Sequence, residues 1–88
     1  MEKNFVVKNK LGLHARPAAL FVQTTSRFRS SVKVRKGEQE VDGKSIMGLM
    51  MLAAEEGSII TILVDGPDEH DVVKALESLF VNRFDEKE

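Results

Sequence analysis

The chain of 88 residues carries 13 Lys and Arg against 14 Asp and Glu, with no cysteine, tryptophan or tyrosine. A chain this short buries one core, its net charge of -1 gives no general attraction to nucleic acid or an anionic membrane, and no disulfide or thiolate metal site supports the fold. Glu2 and Lys3 are charged and no apolar run approaches spanning length, so the sequence predicts no signal peptide, no membrane insertion, and a single cytoplasmic domain over residues 1–88.

Residues 3 to 8 alternate, with Phe5 and Val7 on one side and Val6 and Lys8 on the other, as in a strand ending before Asn9-Lys10-Leu11-Gly12. The next segment, Gly12-Leu13-His14-Ala15-Arg16-Pro17-Ala18, starts a helix. Proline suits a first turn because its missing N–H would have had no partner there, so Pro17 marks the start and His14 falls at or beside the N-cap. Such an end carries unpaired N–H groups and about half a positive charge, and so attracts anions. An imidazole is nucleophilic at neutral pH, and a guanidinium matches phosphate oxygens with its fork of donors. His14, the backbone N–H groups of Ala15 and Arg16, and the Arg16 cation therefore form a candidate phosphoryl site.

From Pro17 to about Arg27 the helical period puts Ala18, Phe21, Val22 and Thr25 on the inward face, with Phe28 closing the end. Arg16, Leu20, Gln23 and Arg27 share the opposite face, where Leu20 is expected to be exposed. Val32 and Val34 alternate with Lys33 and Arg35 in a second strand, Lys36-Gly37-Glu38 turns, and Gln39 to Asp42 returns as a third. Ser45 is placed to cap a short apolar helix from Ile46 to Ala54. Leu49, Leu52 and Ala53 can face inward there, and Met47, Met50 and Met51 point largely outward, with Ile46 between. Ile59 to Val64 is the nearly continuous apolar run of a central strand, and Gly66-Pro67 turns the chain. Asp68 is placed to cap a last helix whose inward positions are Val72, Val73, Leu76, Leu79, Phe80 and Arg83; His70 falls outside, and Asp85 to Glu88 reads as a frayed charged end.

The order β, α, β, β, α, β, α predicts an α+β open-faced sandwich, a four-stranded antiparallel sheet covered on one face by three helices. An RNA-binding domain of similar element order is disfavoured, because no strand offers exposed aromatic residues on which bases would stack.

Two separated segments, GLHARPAALFVQ from Gly12 to Gln23 and KSIMGLM from Lys44 to Met50, resemble those of the HPr family, the histidine-containing phosphocarriers of the bacterial phosphoenolpyruvate-dependent sugar phosphotransferase system. The resemblance covers nearly the whole chain. It implies that His14 accepts a phosphoryl group from enzyme I and passes it to IIA domains of sugar transporters, with Arg16 stabilising the phosphate. It also implies regulatory phosphorylation at Ser45, since the Ser-Ile-Met-Gly form is similar to the Gram-positive type, which involves an HPr kinase/phosphorylase and a catabolite-control transcription regulator. Leu20, Gln23, Arg27, Ile46, Met47 and Met50 are then expected to form the partner-binding surface of a monomer, without metal or cofactor. Met51 stands where many relatives carry a small polar residue, which enlarges that surface. The competing reading is a regulatory binding module acting only through the Ser45 helix, as in a paralogous subfamily that has lost the histidine; His14 argues against it.

Overall fold

Among the described residues, four strands and three α-helices follow in the predicted order: β1 (Glu2–Val6), α1 (Ala15–Thr25), β2 (Ser31–Lys36), β3 (Gln39–Asp42), α2 (Ile46–Met51), β4 (Ile59–Asp65) and α3 (Glu69–Val81). This is a computed structural model, and it describes residues 1–86. The strands lie in the spatial order β1-β4-β2-β3 and every neighbouring pair is antiparallel. The apolar run of β4 does occupy a central position.

Alternation decides which face of the sheet is covered. Ile60, Ile62 and Val64 of β4, Val32 and Val34 of β2 and Phe5 of β1 all turn toward the helices and are buried. On the outer face, register sets Lys33 opposite Asp42 and Arg35 opposite Glu40, so opposite charges meet across the open side. The turn between β2 and β3 needs only Gly37 and Glu38, with Gly37 at φ 60, a conformation glycine adopts without steric cost.

The helices close the core around phenylalanine. Phe80 stacks on Phe5 with ring centres 4.5 Å apart and meets Phe21 and Phe84 edge to face at 6.4 and 5.0 Å. Phe84 is fully buried, which corrects the expected course of the last helix. The sequence pattern put Arg83 on its inward face, but α3 ends at Val81, and Arg83, Phe84 and Asp85 turn left-handed with φ of 49, 55 and 60. Arg83 is thereby exposed and Phe84 enters the core in its place. The end is also not frayed up to Glu86, which is hydrogen-bonded to Asn9 and His14; Lys87 and Glu88 lie outside the described residues.

Smaller departures share one cause, that local patterns mark faces better than ends. Strand β1 stops at Val6, although Val7 stays buried and exchanges backbone bonds with Gly57 and Ser58. Helix α1 starts two residues before Pro17 and ends at Thr25 rather than near Arg27. Helix α2 stops at Met51, so Ala53, at φ 52, is exposed and Ala54 is buried instead. Asp68 occupies the N-cap of α3, yet its carboxylate does not cap that helix. It accepts from the backbone N–H of Arg29 and Ser30 and from the Ser30 hydroxyl, joining the start of α3 to the start of β2.

Candidate phosphoryl site and docking face

The loop between β1 and α1 is shaped by a close approach of two backbones. Gly12, at φ 68, donates its N–H to the Asn9 carbonyl at 3.0 Å, and the following residue, Leu13, donates to the Ala54 carbonyl at 2.9 Å. Leu13 is buried, so the loop is anchored both by an apolar side chain and by the segment that follows α2. His14 then leaves the loop in an extended conformation and is the N-cap of α1, as the sequence suggested.

The imidazole takes no part in capping. The His14 carbonyl accepts the first helical bond from Ala18, and Pro17, third in the helix, has no N–H to satisfy. The N–H groups of Ala15 and Arg16 are the ones left by helix geometry for an external acceptor. His14 is 34% exposed at its side chain, and the Arg16 side chain is exposed on the first turn. The structure thus brings together the predicted nucleophile, backbone donors and cation.

One member of the site was not foreseen. Glu86 Oε2 lies 2.9 Å from His14 Nε2, and its other oxygen, Oε1, accepts from Asn9 Nδ2 at 2.5 Å. The same Asn9 amide donates to the Arg83 carbonyl at 2.8 Å, so a buried loop residue holds both ends of the terminal turn. The Asn9 hydrogen bond is the main influence holding the Glu86 carboxyl below the usual range, opposed by partial burial and assisted by His14 and the Arg16 charge. In sequence, Glu86 is one acid in a charged tail and Asn9 one polar residue in a loop, and neither carries a local signal of this contact.

Ser45 is the N-cap of α2, its hydroxyl accepting from the Gly48 N–H at 3.0 Å. The segment before it is fixed from α1, where the buried Thr25 hydroxyl donates to the Gly43 carbonyl at 2.8 Å. Helix α1 packs against α2, so the predicted docking residues lie on adjoining helices. Met47 and Met51 are 70% and 68% exposed, and Ile46, Met50, Gln23 and Arg27 are exposed as well. Leu20 departs from expectation: it is half-buried and packs on the core, contributing only an edge to the surface. Leu11, in the loop before His14, is 74% exposed and was overlooked, although an apolar residue in a polar loop was a visible signal.

The family model described as "PTS HPr component phosphorylation site" matches residues 1–82. The phosphocarrier protein HPr of Xylella fastidiosa (strain 9a5c) is 50% identical over 86 residues, covering 98% of this chain and 97% of that protein. The HPr-like protein Crh of Halalkalibacterium halodurans is 51% identical over 76 residues, covering 86% of this chain and 90% of that protein. Among solved structures, that of HPr-C-His from Thermoanaerobacter tengcongensis superimposes with a TM-score of 0.95 at 45% identity, covering 100% of this chain and 99% of the other.

Proposed function

The chain belongs to the HPr family and is a phosphocarrier of the phosphotransferase system, and on that premise we propose that His14 is the residue that carries the phosphoryl group. The observation that carries this reading is the position of an accessible imidazole at the N-cap of α1, beside the N–H groups of Ala15 and Arg16.

Phosphoryl transfer asks a protein for position and charge stabilisation more than for covalent help. The ring nitrogen nearer the backbone, Nδ1, is the attacking atom in this reading, since among the described residues only Nε2 is engaged, by Glu86. The first-turn N–H groups take phosphoryl oxygens and Arg16 offsets their charge while the group passes between proteins. Enzyme I is the donor and IIA domains of sugar transporters are the acceptors, in the cytoplasm.

The exposed methionines with Ile46 and the edge of Leu20 form the apolar centre of the docking face, and Arg16, Gln23 and Arg27 its polar rim. A methionine-rich surface adapts to more than one partner, and a rim of arginines steers acidic ones. Ser45 is the regulatory phosphorylation site, placed where added charge alters docking rather than the core. A serine kinase and a catabolite-control regulator are its corresponding partners. The carrier itself acts as a monomer.

The test is incubation with enzyme I and phosphoenolpyruvate, followed by mapping of acid-labile phosphate. Phosphate on His14, and none on a folded His14→Ala variant, is the expected result. Full acceptance by that variant overturns the assignment, and absence of acid-labile phosphate from the native chain leaves the purely regulatory reading in its place.

A further inference from the structure

Among the described residues, the terminal turn is the least ordinary piece of backbone. Three consecutive residues other than glycine, Arg83, Phe84 and Asp85, hold positive φ, a conformation that L side chains adopt only at a steric cost. What holds it in place is visible at both ends: Phe84 is fully buried against Phe80, and Asn9 donates to the Arg83 carbonyl. The effect of the turn is to reverse the chain and deliver Glu86 to the phosphoryl site, its side chain only 16% exposed.

We propose that Glu86 is a positioning residue for phosphoryl transfer, accepting the Nε2 proton of His14 in a hydrogen bond and so keeping Nδ1 unprotonated and turned toward the donor. This rests on the reading of His14 as the phosphoryl acceptor. A neutral imidazole exists as two tautomers, and only the one with its proton on Nε2 offers a lone pair at Nδ1. A carboxylate within hydrogen-bond distance of Nε2 selects that tautomer and restrains ring rotation, the service that a carboxylate gives to a catalytic histidine elsewhere.

The carboxylate also acts during transfer. The Nδ1–P bond forms as the P–N bond to a phosphohistidine of the donor breaks, and the electron pair of the broken bond returns to the donor ring. No proton leaves His14, so its ring, still protonated at Nε2, gains cationic character. Glu86 faces that charge directly, while Arg16 and the first-turn N–H groups face the phosphoryl oxygens. The two charges created by the transfer thus have separate partners. The groups that act on the Glu86 carboxylate are Asn9 from the loop and His14 and Arg16 from the start of α1, all of which favour its ionised form. The carboxylate is therefore available as an acceptor at neutral pH.

The native chain is compared with Glu86→Ala and Glu86→Gln, each labelled with 15N in the histidine ring. Ring 15N shifts at pH 8, recorded without any donor, report the tautomer, and acceptance from enzyme I with phosphoenolpyruvate reports the rate. The native His14 is expected in the Nε2–H tautomer and Glu86→Ala in a mixture, with acceptance slowed by about 3- to 10-fold, the scale of a partly exposed charge-assisted hydrogen bond. Glu86→Gln, which can still accept from Nε2–H without the charge, is expected to keep the tautomer and recover part of the rate. Unchanged amide spectra away from the site show that folding is not the cause. Identical ring shifts in the native chain and Glu86→Ala overturn the inference, as does an unaltered rate. If the native chain itself takes no phosphate on His14, the underlying site assignment falls and this inference falls with it; the donor-free ring shifts distinguish that failure from the absence of any Glu86 contact.

Discussion

The carbonyl oxygen of Ala54 occupies the space that a β-carbon on Gly12 would need, far inside van der Waals contact. The loop that carries His14 and the segment that follows the methionine-bearing helix α2 are therefore pressed together backbone to backbone, and the Leu13 N–H completes the junction by donating to the same oxygen. The proposed phosphoryl site and the proposed docking face consequently share one piece of scaffold.

Replacing Gly12 with alanine meets both this steric block and a φ of 68 that alanine disfavours. Gly12→Ala is expected to lose about 2 kcal/mol or more of stability, and to slow phosphoryl acceptance even where the chain remains folded, because the start of α1 must shift. Denaturant unfolding measures the first effect and enzyme I kinetics at low temperature the second. A variant as stable and as fast as the native chain would show that the loop yields without cost.

Arg16 is exposed, its charge reaches Glu86, the carboxylate on His14, and in the proposed site it offsets the charge of the phosphoryl group. Arg16→Ala should therefore leave stability within about 0.5 kcal/mol while slowing transfer roughly 10-fold or more, with some activity remaining because the backbone donors stay. Arg16→Lys restores the charge but not the fork of donors, and is expected to recover only part of the rate. Transfer kinetics with both enzyme I and a IIA acceptor check this, and equal rates in all three proteins would reduce Arg16 to a surface residue.

Ser45→Ala removes the hydroxyl that accepts from Gly48, and is expected to cost about 1 kcal/mol while phosphoryl acceptance at His14 persists. Phosphorylation of Ser45 adds a charge of about -2 at the start of α2, which favours that helix rather than opposing it. Melting temperature should hold or rise slightly. Affinity for enzyme I should fall, since the charge sits beside exposed Ile46 and Met47, and Ser45→Asp should reproduce part of the fall. A marked loss of melting temperature, or unaltered affinity, would contradict this division between stability and docking.

The Asp68 carboxyl is held down to about 2 from 3.8, chiefly by the Ser30 hydroxyl and then by the Arg29 N–H. A carboxyl whose folded value is depressed stabilises the fold above its unfolded value, and the contribution is lost as pH falls through the folded one. The melting temperature of the native chain should exceed that of Asp68→Asn at pH 5, and the difference should close between pH 3.8 and about 2. A difference that stays constant across that range would assign the effect to packing instead of ionisation.

The legible parts of the molecule are those written within a few residues of one another. Alternation in β2, the apolar run of β4, the cap at Ser45, and the proline and histidine at the start of α1 are each written within a few neighbouring residues, so the fold and the local placement of the candidate site and docking residues could be read along the chain. Helix ends were less legible because stopping α2 at Met51 and α3 at Val81 depends on what the next residues can bury. Burial of Phe84 outweighs the strain of a left-handed turn, and no periodicity records that trade. Asp68 likewise looks like a cap until the fold brings Ser30, 38 positions away, to its carboxylate. Glu86 stands 72 positions from His14 and reads as one more charge in a polar tail; only the core that fixes Phe84, together with the Asn9 amide, turns it into a partner of the imidazole. Local sequence determined which residues could do the chemistry, and long-range packing decided which carboxylate would attend them.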